Sequence, residues 1–167
     1  MPVPATEEDL VALFEQLGAR DSAGWAFSQV AEGIPQLQRF LFLKQAWERL
    51  IGDEDHSWIQ REIDRSEKSP DGPYAGLGKA LSKALARGLS PADLNEIGRC
   101  LQGQALLSVA YLIDGPAYQP AGLEDLQWGL FQIGEDGRPF GPQIGGLHES
   151  VLDTEPAGRE MRPRGDA

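Results

Sequence analysis

The chain is poor in the residues that chemistry at a protein site usually needs. Among 167 residues there are one cysteine, Cys100, and two histidines, His56 and His148. A single thiol excludes an intramolecular disulfide and any zinc site built on several cysteines. Cys100 stands in the apolar helical stretch "IGRCLQGQALLSVAYLI", where a thiol reads as a small core residue. No apolar run approaches the roughly 18 residues that a membrane helix requires. The opening "MPVPATEEDL" has neither the basic nor the apolar region of a secretion signal, so the expectation is a cytoplasmic protein with no membrane partner. Positive charge is scarce too: 15 Lys and Arg stand against 26 Asp and Glu, a formal net charge of −11. No basic stripe is present to neutralise a run of phosphates, and nucleic acid is therefore not expected as a ligand.

What is present is enough apolar material for a core: 41% of the residues are hydrophobic and 25% charged, the balance of a globular chain. Helical periodicity dominates. In "TEEDLVALFEQLG", Thr6 caps, Asp9 takes the capping-box position, and Leu10, Leu13, Phe14 and Leu17 recur at helical spacing before Gly18. "DSAGWAFSQVAEG" continues with Trp25, Ala26, Gln29 and Val30 on one face. Pro35 opens a third helix through "QLQRFLFLKQAWERLIG", apolar around much of its circumference and so expected to be central. A fourth starts at Ser57, with "SWIQ" as a capping box closed by Gln60, and a fifth lies in "AGLGKALSKALARG". "SPAD" then gives the clearest start in the chain, Ser90 capping and Pro91 first in the helix, for a helix reaching Asp114 with Leu94, Ile97, Leu101, Ala105, Ser108 and Leu112 along one line.

Past Gly115 the period changes. "LEDLQWGLFQIGEDGRPFG" reads as a strand, a turn on "EDGR" and a return strand, with Leu126, Trp128 and Leu130 on one face and Phe131 and Ile133 on the other, both faces at least partly covered. Pro139 and Pro142 make the return strand an edge. "LHESVL" offers a third short strand. The expected architecture is mainly α: one domain over 1–155, a bundle of about six helices with a small C-terminal antiparallel hairpin or meander near 126–152. Residues 156–167 are an arm, either draped on the domain or disordered.

Three stretches carry enough polar chemistry to be candidate sites. In "GGLHESVLDTEP", His148, Glu149 and Asp153 stand close together; as a strand, alternation points His148 and Glu149 to opposite faces, which argues against a joint acid-base or metal role. Ser150 shares a face with His148, but no nucleophile-elbow context surrounds it. In "GDEDHSW", Asp53, Glu54 and Asp55 lack the spacing of a calcium loop, and the economical account is a helix start favoured by acidic residues, with an acidic knob for a basic partner as the functional one. The run "GEDGRPFGPQIGG" lacks the Lys and helix start of a phosphate loop. Trp25, Trp47, Trp58 and Trp128 all lie in periodic segments and are assigned to the core by default, whereas Tyr74 and Tyr118, in Gly/Pro-rich loops, are the candidate interface anchors.

The segments "GIPQLQRFLFLKQAW", "WGLFQIGEDGRP" and "GGLHESVLDTEPAGREMRPR" resemble those of a small family of bacterial proteins with a domain of unknown function. That resemblance implies a bacterial cytoplasmic origin and brings no activity, cofactor or catalytic residue to carry over.

No catalytic residue, metal site or cofactor is assigned from the sequence. The leading expectation is a non-enzymatic interaction protein, of the immunity or adaptor kind, presenting acidic surface to a basic protein. The rival is a small-ligand binder or hydrolase-like enzyme with a pocket between helical body and hairpin, on which His148, Glu149 or Asp153 converge. A third expectation is a homodimer formed through the hairpin edge or the glycine-bearing face of the long helix.

Overall fold

The described residues form seven helices and one two-stranded sheet: α1 (Glu7–Gln16), α2 (Ser22–Ala31), α3 (Gln36–Trp47), α4 (Ser57–Lys68), α5 (Ala75–Ala86), α6 (Pro91–Asp114), β1 (Leu130–Ile133), β2 (Pro139–Ile144) and α7 (Leu147–Ser150). The structure, a computed structural model, describes residues 3–115, 121–122 and 125–164. The mainly helical class with a small antiparallel sheet near the C-terminus is as the periodicity predicts. The contacts group into two compact units, residues 1–47 with 106–167 as unit 1 and residues 48–105 as unit 2.

In unit 1 the caps follow the sequence. Thr6 Oγ1 accepts the Asp9 backbone N–H at 3.2 Å while its hydroxyl donates to Asp9 Oδ2 at 2.6 Å, and Asp21 Oδ1 accepts the Gly24 N–H at 2.9 Å to start α2. Leu10, Phe14, Trp25, Ala26, Leu37 and Phe40 then close one core. Its aromatic rings meet edge to face, Phe14 with Phe40 at 5.6 Å between centroids and Trp25 with Phe40 at 5.4 Å. On α3, Leu43 and Trp47 are buried, as are Leu147 and Val151 around α7, and the Trp47 indole N–H donates to the Val151 carbonyl at 2.9 Å.

"LHESVL" is not the third strand expected of it. Gly146 sits at φ +68°, a left-handed conformation that ends extended backbone, and Leu147–Ser150 turn into α7, after which 151–154 continue as turns. The hairpin is therefore β1 and β2 alone, antiparallel, with Leu130 opposite Ile144 and Ile133 opposite Pro139 and an irregularity between Leu130 and Gln132. Its faces are not both covered: Phe131 and Ile133 are exposed. Nor is Trp128 a core residue, because its indole N–H reaches the Leu112 carbonyl at 2.6 Å and leaves the ring 48% exposed.

Unit 2 is built on α4, α5 and the residues of α6 up to 105, with Trp58, Ile59, Ile63, Leu81 and Leu94 as its core. Gly78 lets α5 approach α4: a Cβ there would lie 2.2 Å from the Glu62 carbonyl oxygen and 2.5 Å from Ser66 Cβ. The α4 start differs from the expected capping box, since no side chain of the N-cap, His56, bonds the helix; Asp55 Oδ1 instead takes the Ser57 N–H at 2.9 Å and its hydroxyl at 2.5 Å. Of the line expected along α6, Leu94 is buried, whereas Ile97, Leu101, Ala105, Ser108 and Leu112 are exposed, and in unit 2 the residues buried beside Leu94 include Asn95 and Arg99. The reason is polar. Asn95 accepts the Trp58 indole N–H at 2.8 Å and donates to the Gly52 and Asp53 carbonyls at 3.1 and 2.8 Å. Arg99 donates to the Ile51 carbonyl at 2.6 Å, and Gln102 accepts the Ile51 N–H at 2.7 Å. Satisfying the 51–53 backbone decides which face of α6 turns inward.

Candidate functional site

Asp114, the last residue of α6, receives three bonds from the start of α7. Its Oδ1 accepts the Leu147 N–H at 3.0 Å, its Oδ2 accepts the His148 N–H at 2.9 Å, and the same Oδ2 lies 2.6 Å from His148 Nδ1. One turn earlier on α6, Tyr111 stacks on the His148 ring with centroids 4.1 Å apart. Burial works against the charged form of Asp114, but the bonds from the His148 backbone and ring and from the Leu147 N–H outweigh it and hold the carboxyl below its ordinary range.

Beside this pair lies Arg39, buried on α3, with Nη1 3.3 Å from Ser150 Oγ and with Nε meeting no acceptor among the described residues. Burial pushes its guanidinium below its ordinary value, while Glu149 and then Asp114 pull it back up. An arginine so placed keeps its charge at neutral pH and balances the two carboxylates. The backbone passes it closely at Gly146, where a Cβ would stand 2.3 Å from Arg39 Nη2.

Chemically this is an Asp–His pair without a relay beyond it. Ser150 Oγ is engaged by Arg39 rather than by His148, and a nucleophile would have to bond the imidazole for acyl-transfer chemistry. Among the described residues no group of three or more His, Cys, Asp or Glu is placed to hold a metal ion. The cluster fastens the start of α7 to the end of α6. His148 and Glu149 both act in it, His148 bonding Asp114 and Glu149 acting on Arg39 through charge.

Asp153 belongs to another place in unit 1. A cleft of about 440 Å³ is lined by Trp25, Gln36 and Ser150 together with Arg20, Asp21, Asp153 and Glu160. It lies between the start of α2 and the turns after α7, so the hairpin contributes nothing to it, and of the expected trio His148, Glu149 and Asp153 only Asp153 reaches it. Both terminal nitrogens of Arg20 are engaged: Nη1 donates to the Gly158 carbonyl at 3.0 Å and to Glu160 at 3.4 Å, and Nη2 to the Leu152 and Asp153 carbonyls at 3.1 and 2.8 Å. Glu155 completes the fastening of the arm by accepting the N–H groups of Ala157, Arg159 and Glu160. These bonds tie residues 157–160 back to Arg20 and Glu155. Gln36 is 7% exposed, and its Oε1 accepts no hydrogen bond from the described residues although its Nε2 donates to Ser28 Oγ at 2.8 Å. A buried acceptor left in that state costs about 1–3 kcal/mol.

The remaining sequence candidates are accounted for locally. Asp53 pairs with Arg99 Nε at 3.4 Å, Asp55 caps α4, and Glu54 is exposed between them. The side-chain and backbone bonds from Ser57 hold the Asp55 carboxyl below its ordinary range. Tyr74 is 79% exposed at φ +66°, just before α5. Tyr118 lies outside the described residues.

Sequence reasoning missed Asp114, Tyr111, Arg39, Arg20 and Gln36. Each acts across a fold contact, such as the 34 residues between Asp114 and His148 or the 133 between Arg20 and Asp153, and no local pattern marks such pairs. No family model, curated protein or solved structure matches the chain.

Proposed function

We propose that this chain is a non-enzymatic interaction protein of the bacterial cytoplasm, of the immunity or adaptor kind, that holds a basic protein partner on the hairpin surface of unit 1. What carries the reading is where the charge and the exposed aromatic residues fall. Within unit 1 sixteen carboxylates face seven basic residues, a balance of −9, and within unit 2 ten face eight, a balance of −2, together the chain's −11. The same unit exposes Trp128, Phe140 at 53% and Ile133 at 62%, along with Tyr111 and Leu112. Exposed rings in a unit of net negative charge, even with Arg138 exposed beside Asp136 at the hairpin turn, match the anatomy of a specific interface, with the rings supplying affinity and the excess carboxylates steering an oppositely charged partner. Glu135 and Asp136 at the hairpin turn and Asp125 before β1 put negative charge beside the rings.

The test is a quantitative capture from bacterial lysate at low salt and at about 150 mM, where the screening length falls to about 8 Å. The wild type is compared with a Trp128→Ala, Phe140→Ala double variant of unchanged thermal midpoint. The reading expects a basic protein held by the wild type, released as salt rises, and lost on the variant. It is overturned if both chains retain the same proteins. It is also overturned if light scattering shows the wild type pairing with itself through this surface while the variant is monomeric.

A further inference from the structure

We infer that the cleft beside Trp25 is a binding site for a protonated amine or guanidinium group, held between Asp21 and Asp153. The site is independent of the hairpin surface, sharing none of its residues. Three observations converge on it.

The first is the charge balance inside the cleft. Three carboxylates, Asp21, Asp153 and Glu160, face one cation, Arg20, whose donors are committed to the Gly158, Leu152 and Asp153 carbonyls and to Glu160. Glu160 is further compensated by Arg162 at 2.9 Å. Asp21 and Asp153 are left without an ion pair among the described residues, and one Asp21 oxygen is occupied only by the Gly24 N–H.

The second is Gln36. It is more than nine-tenths buried at the cleft lining, and its Oε1, itself almost without accessible surface, accepts no bond from the described residues. An orphaned acceptor beside two uncompensated carboxylates asks for a ligand rich in N–H donors and rejects an anion.

The third is Trp25, a buried indole in the cleft lining, the side chain best suited to lie against an organic cation. A volume of about 440 Å³ falls within the range of small-ligand sites and suits a short alkylamine or the end of an arginine or lysine side chain. The cation can come as a free small amine or as a side chain of a protein; the chemistry recognised is the same.

The experiment is an amide NMR titration of the full chain with agmatine at constant ionic strength, with sodium chloride and sodium acetate as parallel titrants. The expected result is saturable shifts confined to residues 20–25, 36 and 150–160 with agmatine alone, and affinity reduced about tenfold or more in a D21N, D153N variant. Asn at position 21 still caps α2, so the charge is removed with the helix start retained, and an unchanged thermal midpoint verifies the fold. A second arm adds a short lysine- and arginine-rich peptide: displacement of the peptide by agmatine assigns its side chain to the cleft and supports the proposal with a protein as the source. Shifts that sodium chloride reproduces, or agmatine binding of equal strength in wild type and variant, overturn it. Because neither Trp128 nor Phe140 is altered, failure here leaves the hairpin reading standing, and loss of partner capture on the hairpin variant leaves this one standing.

Discussion

Asp114 holds His148 twice, by the backbone N–H at 2.9 Å and at the ring Nδ1 at 2.6 Å, so that one carboxylate sets both the position of α7 and the orientation of its imidazole. A charged acceptor meeting two backbone donors and a ring nitrogen is a strong fastening for a four-residue helix that has few bonds of its own.

Replacing Asp114 by alanine removes all three bonds and leaves the Leu147 and His148 N–H groups in a part-buried setting. The expected loss is about 2–4 kcal/mol of stability by urea unfolding, with sharp side-chain signals lost at Tyr111 and His148. A change below about 0.5 kcal/mol, the scale of ordinary surface substitutions, would show that α7 is held by packing alone.

The same carboxylate gives a pH dependence of definite sign. Its folded pKa lies below the ordinary value of 3.8, so as pH falls the unfolded chain takes up this proton first. The stabilisation from Asp114 is complete well above that value and disappears as pH drops through the lowered one. Asp55 and Asp93 are shifted in the same direction. The measurement is therefore the difference in unfolding midpoint between wild type and Asp114→Asn from pH 7 to pH 2, expected to shrink on acidification; a constant difference would remove the proton linkage.

Gly146→Ala adds a methyl where Arg39 Nη2 is 2.3 Å away and forces a side chain into φ +68°. Together these are expected to cost about 1–3 kcal/mol. Gly137, at φ +75° with nothing near its Cβ position, is the control: its alanine variant bears the backbone strain without the clash and is expected to lose less.

Asn95→Ala leaves the Trp58 indole N–H and the Gly52 and Asp53 carbonyls without their partner. About 2–4 kcal/mol is expected from the loss of a fully buried amide with three bonds. The effect should be read in unit 2, as a shifted Trp58 indole resonance and faster hydrogen exchange at 51–53. Unchanged exchange there would mean that Arg99 and Gln102 are sufficient to hold the turn.

Arg20→Ala cuts the bonds to the Gly158, Leu152 and Asp153 carbonyls, which are exposed and individually weak. Little change in midpoint is expected, but limited proteolysis should cut between residues 156 and 162 several-fold faster than in the wild type. Equal cleavage would show that Glu155 alone holds the arm.

How much of this could be read beforehand differs element by element. The helix at 91–114 was legible to the residue because its signals are local: Ser90 and Asp93 bond each other three positions apart, and Pro91 suits the first turn. At 147–150 the same kind of reasoning chose a strand. Six residues of alternating character fit either period, and the deciding facts are Gly146 at a positive φ and a carboxylate 33 residues upstream waiting for the Leu147 N–H. Trp128 failed for a related reason, since periodicity tells which residues share a face but not whether anything covers it.

By itself, then, the order of the amino acids determined the helical class, the acidic excess, and those starts and stops where neighbours three or four positions apart satisfy each other's backbone. Tertiary structure alone decided that Asp114 would meet His148, that Arg39 would be buried within the influence of two carboxylates, that Gln36 would be buried at the lining of a cleft, and that most of the negative charge would gather with the hairpin in unit 1. The physical reason is range: capping and periodicity act within one turn, whereas charge balance and the pairing of buried polar groups depend on which distant segments the core brings together.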